Sequence, residues 1–172
     1  MNNKYPQRKS HRLKNFDYSS GYSYHVIINA CKSEAIFSKI LLNEKRECEI
    51  KLTDIGNIID KHIKEIEKCY KGVILESYVI MPNHIHILLS IIETNQQHTE
   101  KITIIKIISA LKSITTKKIG EKIWQKSFYD HVIDNDKDFF NTVNYIEGNP
   151  IEHLVKEENK KQCDNILDYE ST

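Results

Sequence analysis

The stretch Ser77-Tyr78-Val79-Ile80-Met81-Pro82-Asn83-His84-Ile85-His86-Ile87-Leu88-Leu89 decides how the whole chain is read. It is the end of one strand, a tight turn at Pro82-Asn83, and a second strand that opens with two histidines. Side chains two apart on a strand point the same way. His84 and His86 therefore share a face with Leu88 and Ser90, while Ile85, Ile87, Leu89 and Ile91 take the other. The aliphatic face is suited to packing on helices, which leaves the histidine face open. Two neighbouring imidazoles on an open face can bind a divalent metal with one or two further ligands. His-x-His also arises by accident in a chain with eight histidines, and the downstream sequence has to decide between the two.

Length and composition set the frame. A chain of 172 residues with few Gly and Pro fits one globular domain with a proper core. No apolar run approaches a membrane span, and the N-terminal MNNKYPQRKSHRLKN has no apolar signal core. A cytoplasmic protein without membrane contact is expected. Cys31, Cys48, Cys69 and Cys163 lack Cys-x-x-Cys or zinc-knuckle spacing, so they read as free thiols, Cys31 and Cys69 in patterns that suggest burial. A structural zinc domain is disfavoured, because no cysteine is spaced to help the histidines and no second pair of ligands is apparent.

The net charge of +1 hides an asymmetry. Lys4, Arg8, Lys9, Arg12 and Lys14 stand in the first fifteen residues with no acid among them. A second basic run holds Lys101, Lys106, Lys112, Lys117, Lys118, Lys122 and Lys126 against Glu100 and Glu121, and the chain turns acidic after Asp134. A basic arm and a basic helix attract a phosphate backbone. For the second run alone, lysines that solvate a helix face explain the pattern equally well.

In order, residues 1–20 read as a basic N-terminal arm, 21–155 as the domain, and 156–172 as a loosely held polar, acidic tail. Residues 24–31 alternate as a first strand, with His25, Ile27, Asn29 and Cys31 on one face. Residues 32–51 form a mixed connection with a short turn of helix near 36–41. Thr53 caps a helix to about Tyr70 with Ile55, Ile58, Ile59, Ile63, Ile66 and Cys69 at helical spacing, and Gly72 ends it. Strands at 73–80 and 84–92 form the hairpin. A polar loop at 93–98 leads to a helix over 99–118, with Ile104, Ile107, Ile108, Leu111 and Ile114 facing inward, and Gly120 breaks it. Residues 124–133 read as a fourth strand, and Asp136 caps a last helix with Phe139, Val143 and Ile146 inside. The order β-α-β-β-α-β plus one helix predicts an α+β fold of the ferredoxin-like split type, an antiparallel sheet with both crossover helices on one face.

The last helix contains Tyr145-Ile146-Glu147-Gly148-Asn149-Pro150. Tyr145 and Asn149 are one turn apart on nearly one face, offset from the apolar stripe. A helix laid across the open sheet face would bring this phenol and amide towards His84 and His86. A tyrosine oxygen attacks a phosphodiester phosphorus when the charge developing on the phosphoryl oxygens is offset. A divalent cation held by two imidazoles and an amide oxygen does this as a Lewis acid. The enzyme supplies the nucleophile itself and keeps the DNA end covalently. Taken singly, Tyr145 is a half-buried helix tyrosine and Asn149 before Pro150 is a helix stop.

The arm Arg8-Lys9-Ser10-His11-Arg12-Leu13-Lys14-Asn15-Phe16-Asp17-Tyr18, the MPNHIHILL segment, WQKSFYDHVI and VNYIEGNP occur in this order. Over about residues 8–155 the chain resembles the REP-associated tyrosine transposases, a branch of the single-tyrosine HUH transposases of insertion sequences. The resemblance implies a metal-dependent single-strand DNA endonuclease and strand transferase with a ferredoxin-like fold. It implies Mg²⁺ or Mn²⁺ on His84 and His86, Asn149 as third ligand, and Tyr145 as the nucleophile that forms a 5′-phosphotyrosine link. It implies hairpin DNA with adjacent single strand as partner, contacted by the basic arm, and a monomer or a homodimer. Around this centre Trp124, Gln125 and Tyr129 are placed near DNA, where aromatics stack on unpaired bases, with a core position for Trp124 equally open. Tyr129 is also a rival nucleophile on paper. The alternative function is a domesticated DNA- or RNA-binding regulator on the same fold, without mobilising activity.

Overall fold

The structure is a computed structural model that describes residues 21–92 and 101–169, the side chains of 161–169 excepted. Six strands and four helices follow one another: β1 (Ser23–Asn29), β2 (Ser38–Leu42), β3 (Cys48–Leu52), α1 (Asp54–Lys64), α2 (Ile66–Cys69), β4 (Val73–Ile80), β5 (His84–Ile91), α3 (Ile104–Ile119), β6 (Tyr129–Ile133) and α4 (Asp136–Tyr169). Four strands form one sheet in the order β4-β5-β1-β6. β1 and β4 both run antiparallel to β5, so they are parallel to each other, and the crossover between them carries α1. β5 and β6 likewise flank β1, joined through α3. This is the ferredoxin-like split arrangement with α4 added.

Each sheet face has its own core. On one, Tyr24, Val26 and Ile28 of β1 and Ile85, Ile87 and Leu89 of β5 are fully buried against Ile59 and Ile63 of α1 and Ile104, Ile107 and Ile108 of α3. On the other, Val79, Leu88 and Ile133 pack with Ile146 of α4 and Ile40 of β2, flanked by Phe139, Val143 and Ile50. Ile146, Phe139 and Val143 thus form the inner stripe of α4 that their spacing predicts. The histidine side of the sheet is not open. α4 and the β2–β3 hairpin cover it.

That hairpin replaces the turn of helix expected near residues 36–41. Lys39 and Leu41 are exposed while Ser38 and Ile40 are buried, a period of two. Asn43 makes the turn: its Oδ1 accepts from Lys45 N and Glu47 N, both at 2.9 Å. Arg46 takes a positive φ of 64° to close it. α1 starts at the expected cap, Thr53 Oγ1 accepting from Gly56 N at 3.1 Å, but it stops at Lys64 and resumes as the short α2. Gly56 sits where α1 passes the backbone of Phe37, and a Cβ there would lie 2.0 Å from the Phe37 carbonyl oxygen.

Further expectations need correction. α3 is capped by Thr103, whose Oγ1 accepts from Lys106 N, and residue 99 lies outside the described residues, as does the loop 93–98. Ile114 points to solvent and Thr115 is buried in its place. Thr115 Oγ1 donates to Leu111 O at 2.7 Å and accepts from the Trp124 indole at 2.9 Å, so its hydroxyl is satisfied. The strand expected at 124–133 is split. Trp124 forms one bridge to Ala30 and pairing resumes only at β6. Between them Lys112 Nζ donates to the Gln125 and Lys126 carbonyls. Cys31 and Cys69 are exposed. Asn135, not Asp136, caps α4, its Oδ1 accepting from Asp138 N at 2.9 Å. α4 also runs through Pro150, with one backbone donor missing, and continues as helix to Tyr169. The segment after Pro150 carries Glu and Lys repeatedly, both good helix formers.

Candidate active site

The register puts His86 at the centre of the covered face, between Val79 of β4 and Ile27 of β1. It is 2% exposed. Its Nδ1 lies 3.0 Å from Nε2 of His25 on β1. Its Nε2 lies 3.4 Å from the Asn149 side-chain nitrogen. His84, half-buried at the start of β5, has its Nδ1 2.8 Å from Asn83 Oδ1. An amide oxygen only accepts, so His84 Nδ1 carries the proton and Nε2 keeps its lone pair. The two rings are 4.9 Å apart, centre to centre.

α4 delivers the other groups. With Ile146 seated in the second core, its neighbour Tyr145 and Asn149, one turn on, face the imidazoles. The Tyr145 ring stands edge-on to His86 at 5.5 Å and to His25 at 6.0 Å between centroids. It is 48% exposed, whereas Asn149 is buried. A phenol open to solvent thus stands over a buried imidazole pair.

Burial sets the charge state. Desolvation, followed by the neighbouring His84 and His25, pushes the His86 pKa down to about 3. Desolvation and His131 bring His25 down to about 4, with Asp138 opposing. His84 is lowered by burial and by His153, two turns beyond Tyr145 on α4. Neutral imidazoles with free Nε2 lone pairs are what a cation requires. Among the described residues no group of three or more His, Cys, Asp or Glu is arranged to hold a metal. Two imidazole nitrogens and the Asn149 amide are the donors here, so a bound cation would complete its shell with water or phosphate oxygens.

The other sequence-derived candidates scatter. Trp124 is 3% exposed, packed on Phe37 in the core beneath α3, and cannot stack on a base from there. Lys112 is clamped on the carbonyls of residues 125 and 126, and burial lowers its pKa. Lys117 and Lys118 are exposed in the last turn of α3, and Gln125 is exposed. Tyr129 is exposed on β6, on the histidine face. Arg8, Lys9, Arg12 and Lys14 lie outside the described residues. Sequence reasoning passed over Asn83 and His25 as partners of the histidines. Asn83 was in the quoted turn, and alternation did put His25 on one face of its strand, but only the register brings it to His86.

The family described as IS200-like transposase matches residues 18–149. An uncharacterized protein of Haemophilus influenzae is 29% identical over 164 residues, covering 84% of this chain and 88% of its own length. The REP-associated tyrosine transposase of Escherichia coli K12 is 30% identical over 79 residues, 46% of this chain and 45% of that protein. The solved structure of a REP-associated tyrosine transposase bound to a REP hairpin shares the fold, with a TM-score of 0.58 at 20% identity over 83% of this chain and 74% of the other. Since the family match runs from before β1 to Asn149 and takes in both histidines and Tyr145, the chain belongs to the IS200-like transposases.

Proposed function

We propose that this transposase is a metal-dependent single-strand DNA endonuclease and strand transferase that acts at hairpin-bearing DNA, with Tyr145 as nucleophile. The observation that carries the proposal is the exposed Tyr145 phenol standing 5.5 Å from the buried His86 ring, with Asn149 turned to the same imidazole. Family membership supports the reaction class, and the hairpin bound by the related transposase supports the kind of DNA.

In the reaction, Tyr145 Oη bonds to the scissile phosphorus and the bond from phosphorus to the 3′ oxygen breaks. The phenol proton is lost, the 3′ oxygen takes one up, and the 5′ phosphate remains on the tyrosine. Attack by another 3′ hydroxyl reverses the step and joins strands. Mg²⁺ or Mn²⁺ held by Nε2 of His84 and His86, with the Asn149 amide rotated to offer its oxygen in place of the nitrogen that faces His86 in the metal-free chain, would offset the charge developing on the phosphoryl oxygens. α4 fixes the phenol on the solvent side, where an unpaired strand reaches it. Exposed Lys117, Lys118, Gln125 and Tyr129, with the arm residues Arg8, Lys9, Arg12 and Lys14, supply phosphate and base contacts.

Labelled hairpin DNA with a single-stranded flank, incubated with Mn²⁺ and resolved on a denaturing gel, tests this. A covalent adduct that maps to Tyr145, disappears with EDTA and survives Tyr129→Phe is expected. Cleavage in EDTA would sink the metal assignment. Binding without an adduct, across a pool of hairpins, would favour a regulator on this fold.

A further inference from the structure

We infer that His25 is a positioning residue of the site: its Nε2 accepts the Nδ1–H of His86 and holds that ring in the tautomer whose Nε2 lone pair faces Tyr145 and Asn149. The consequence for metal affinity rests on the reading of His86 as a ligand, while the hydrogen bond stands on geometry alone.

His25 lies opposite Leu88 and His86 opposite Ile27, so the two histidines are diagonal neighbours on one sheet face. Their rings are 21° from parallel with centroids 5.3 Å apart. The facing nitrogens are 3.0 Å apart. Nearly coplanar rings meeting through their nitrogens have the geometry of an in-plane N–H···N bond. A neutral imidazole has one donor and one acceptor, so the direction of the bond fixes both tautomers. The far edge of His86 settles it. Asn149 turns its side-chain nitrogen towards His86 Nε2 at 3.4 Å, and an amide nitrogen offers only hydrogens. Nε2 therefore accepts, Nδ1 carries the proton, and His25 Nε2 is the acceptor.

His84 reaches the same tautomer through a different partner, the Asn83 oxygen. Both imidazoles thus keep an Nε2 lone pair, on rings whose centroids are 4.9 Å apart. Outer partners of this kind orient ligating imidazoles in metal sites, and their loss weakens metal binding by about 10- to 100-fold. His25 is itself buried, a place where an unpaired polar ring is unfavourable.

Long-range ¹⁵N–¹H NMR of the metal-free protein reads the His86 tautomer directly, and Mn²⁺ titration followed by electron paramagnetic resonance reads affinity. Wild type should show His86 as Nδ1–H. His25→Phe keeps a ring but removes the acceptor, and should mix the tautomers and weaken Mn²⁺ about 10- to 100-fold. His25→Gln restores an acceptor oxygen and should recover most of both, which a merely space-filling role would not predict. A wild-type Nε2–H tautomer, or a His25→Phe protein unchanged in tautomer and affinity, overturns the inference. Wild-type protein that shows the Nδ1–H tautomer but binds no Mn²⁺ supports His25 as the acceptor and overturns the metal reading instead.

Discussion

Asn83 Oδ1 lies 2.8 Å from Nδ1 of His84, so the turn that starts β5 also orients the first imidazole of the site. The turn is in turn held by β1 and its exit, because Asn83 O accepts from Ala30 N at 2.8 Å and Asn83 Nδ2 donates to Ser33 O at 3.1 Å. Asn83→Ala should weaken Mn²⁺ binding about 10- to 100-fold. Its stability should fall by only about 1 kcal/mol per lost hydrogen bond. Asn83→Asp keeps an acceptor oxygen and should bind near the wild-type level. Calorimetric Mn²⁺ titration of the three proteins decides the matter, and equal affinities would remove Asn83 from the site.

A cation that binds only the folded chain must raise its melting temperature. The linkage amounts to about 2.7 kcal/mol at a metal concentration a hundred times Kd. Mn²⁺ should therefore raise Tm in a dose-dependent way, EDTA should reverse the shift, and His84→Ala should abolish it. His84 is the better probe because it is only half-buried, so its truncation leaves little cavity. An undiminished shift in His84→Ala would place the cation elsewhere.

The buried histidines make stability depend on pH. Above pH 6.5 both His25 and His86 are neutral in the folded and the unfolded chain and contribute no slope. As pH falls, the unfolded chain takes up protons that the folded chain refuses until about pH 4 for His25 and about pH 3 for His86. Stability should therefore decline between pH 6.5 and those values and level off below. At about 1.4 kcal/mol per pKa unit, His25 alone accounts for on the order of 3 kcal/mol over its window. Thermal unfolding in metal-free buffer from pH 7.5 to 4.5 checks this. His25→Phe should show a shallower decline than wild type, and a parallel one would contradict the assignment.

Gly56→Ala should destabilise the fold. The added Cβ meets the Phe37 carbonyl oxygen at 2.0 Å, and that carbonyl is pinned by Thr53 N at 3.0 Å and Thr53 Oγ1 at 3.1 Å. Overpacking against fixed backbone costs about 1–3 kcal/mol. Urea unfolding measures it, and a neutral result would mean that α1 can slide away from Phe37.

Where one rule governed a segment, the sequence was enough. Alternation over residues 84–91 placed both histidines on one face, and the four-residue spacing of Tyr145 and Asn149 placed both on the side of α4 that meets them. Elsewhere two rules competed. Leu, Glu and Lys around Asn43 favour helix by propensity, yet the Asn43 side chain builds a hairpin turn. Ile114 outranks Thr115 as a core residue by hydropathy, yet Thr115 is buried because Trp124 and Leu111 satisfy its hydroxyl. The His25–His86 bond joins residues 61 positions apart and depends on strand register, which no local pattern encodes.

The split of the site between β5 and α4 also sets an order of events during synthesis. Tyr145 and Asn149 belong to α4, the last element among the described residues, and Asn149 meets His86 across 63 positions of sequence. Growing at about 5–20 residues per second, a nascent chain exposes its histidine pair several seconds before the tyrosine exists. A chain stalled or clipped before residue 145 therefore holds imidazoles but no attacking oxygen. On the proposed chemistry, such fragments can touch DNA and cannot cut it, which leaves strand breakage to chains made past residue 149.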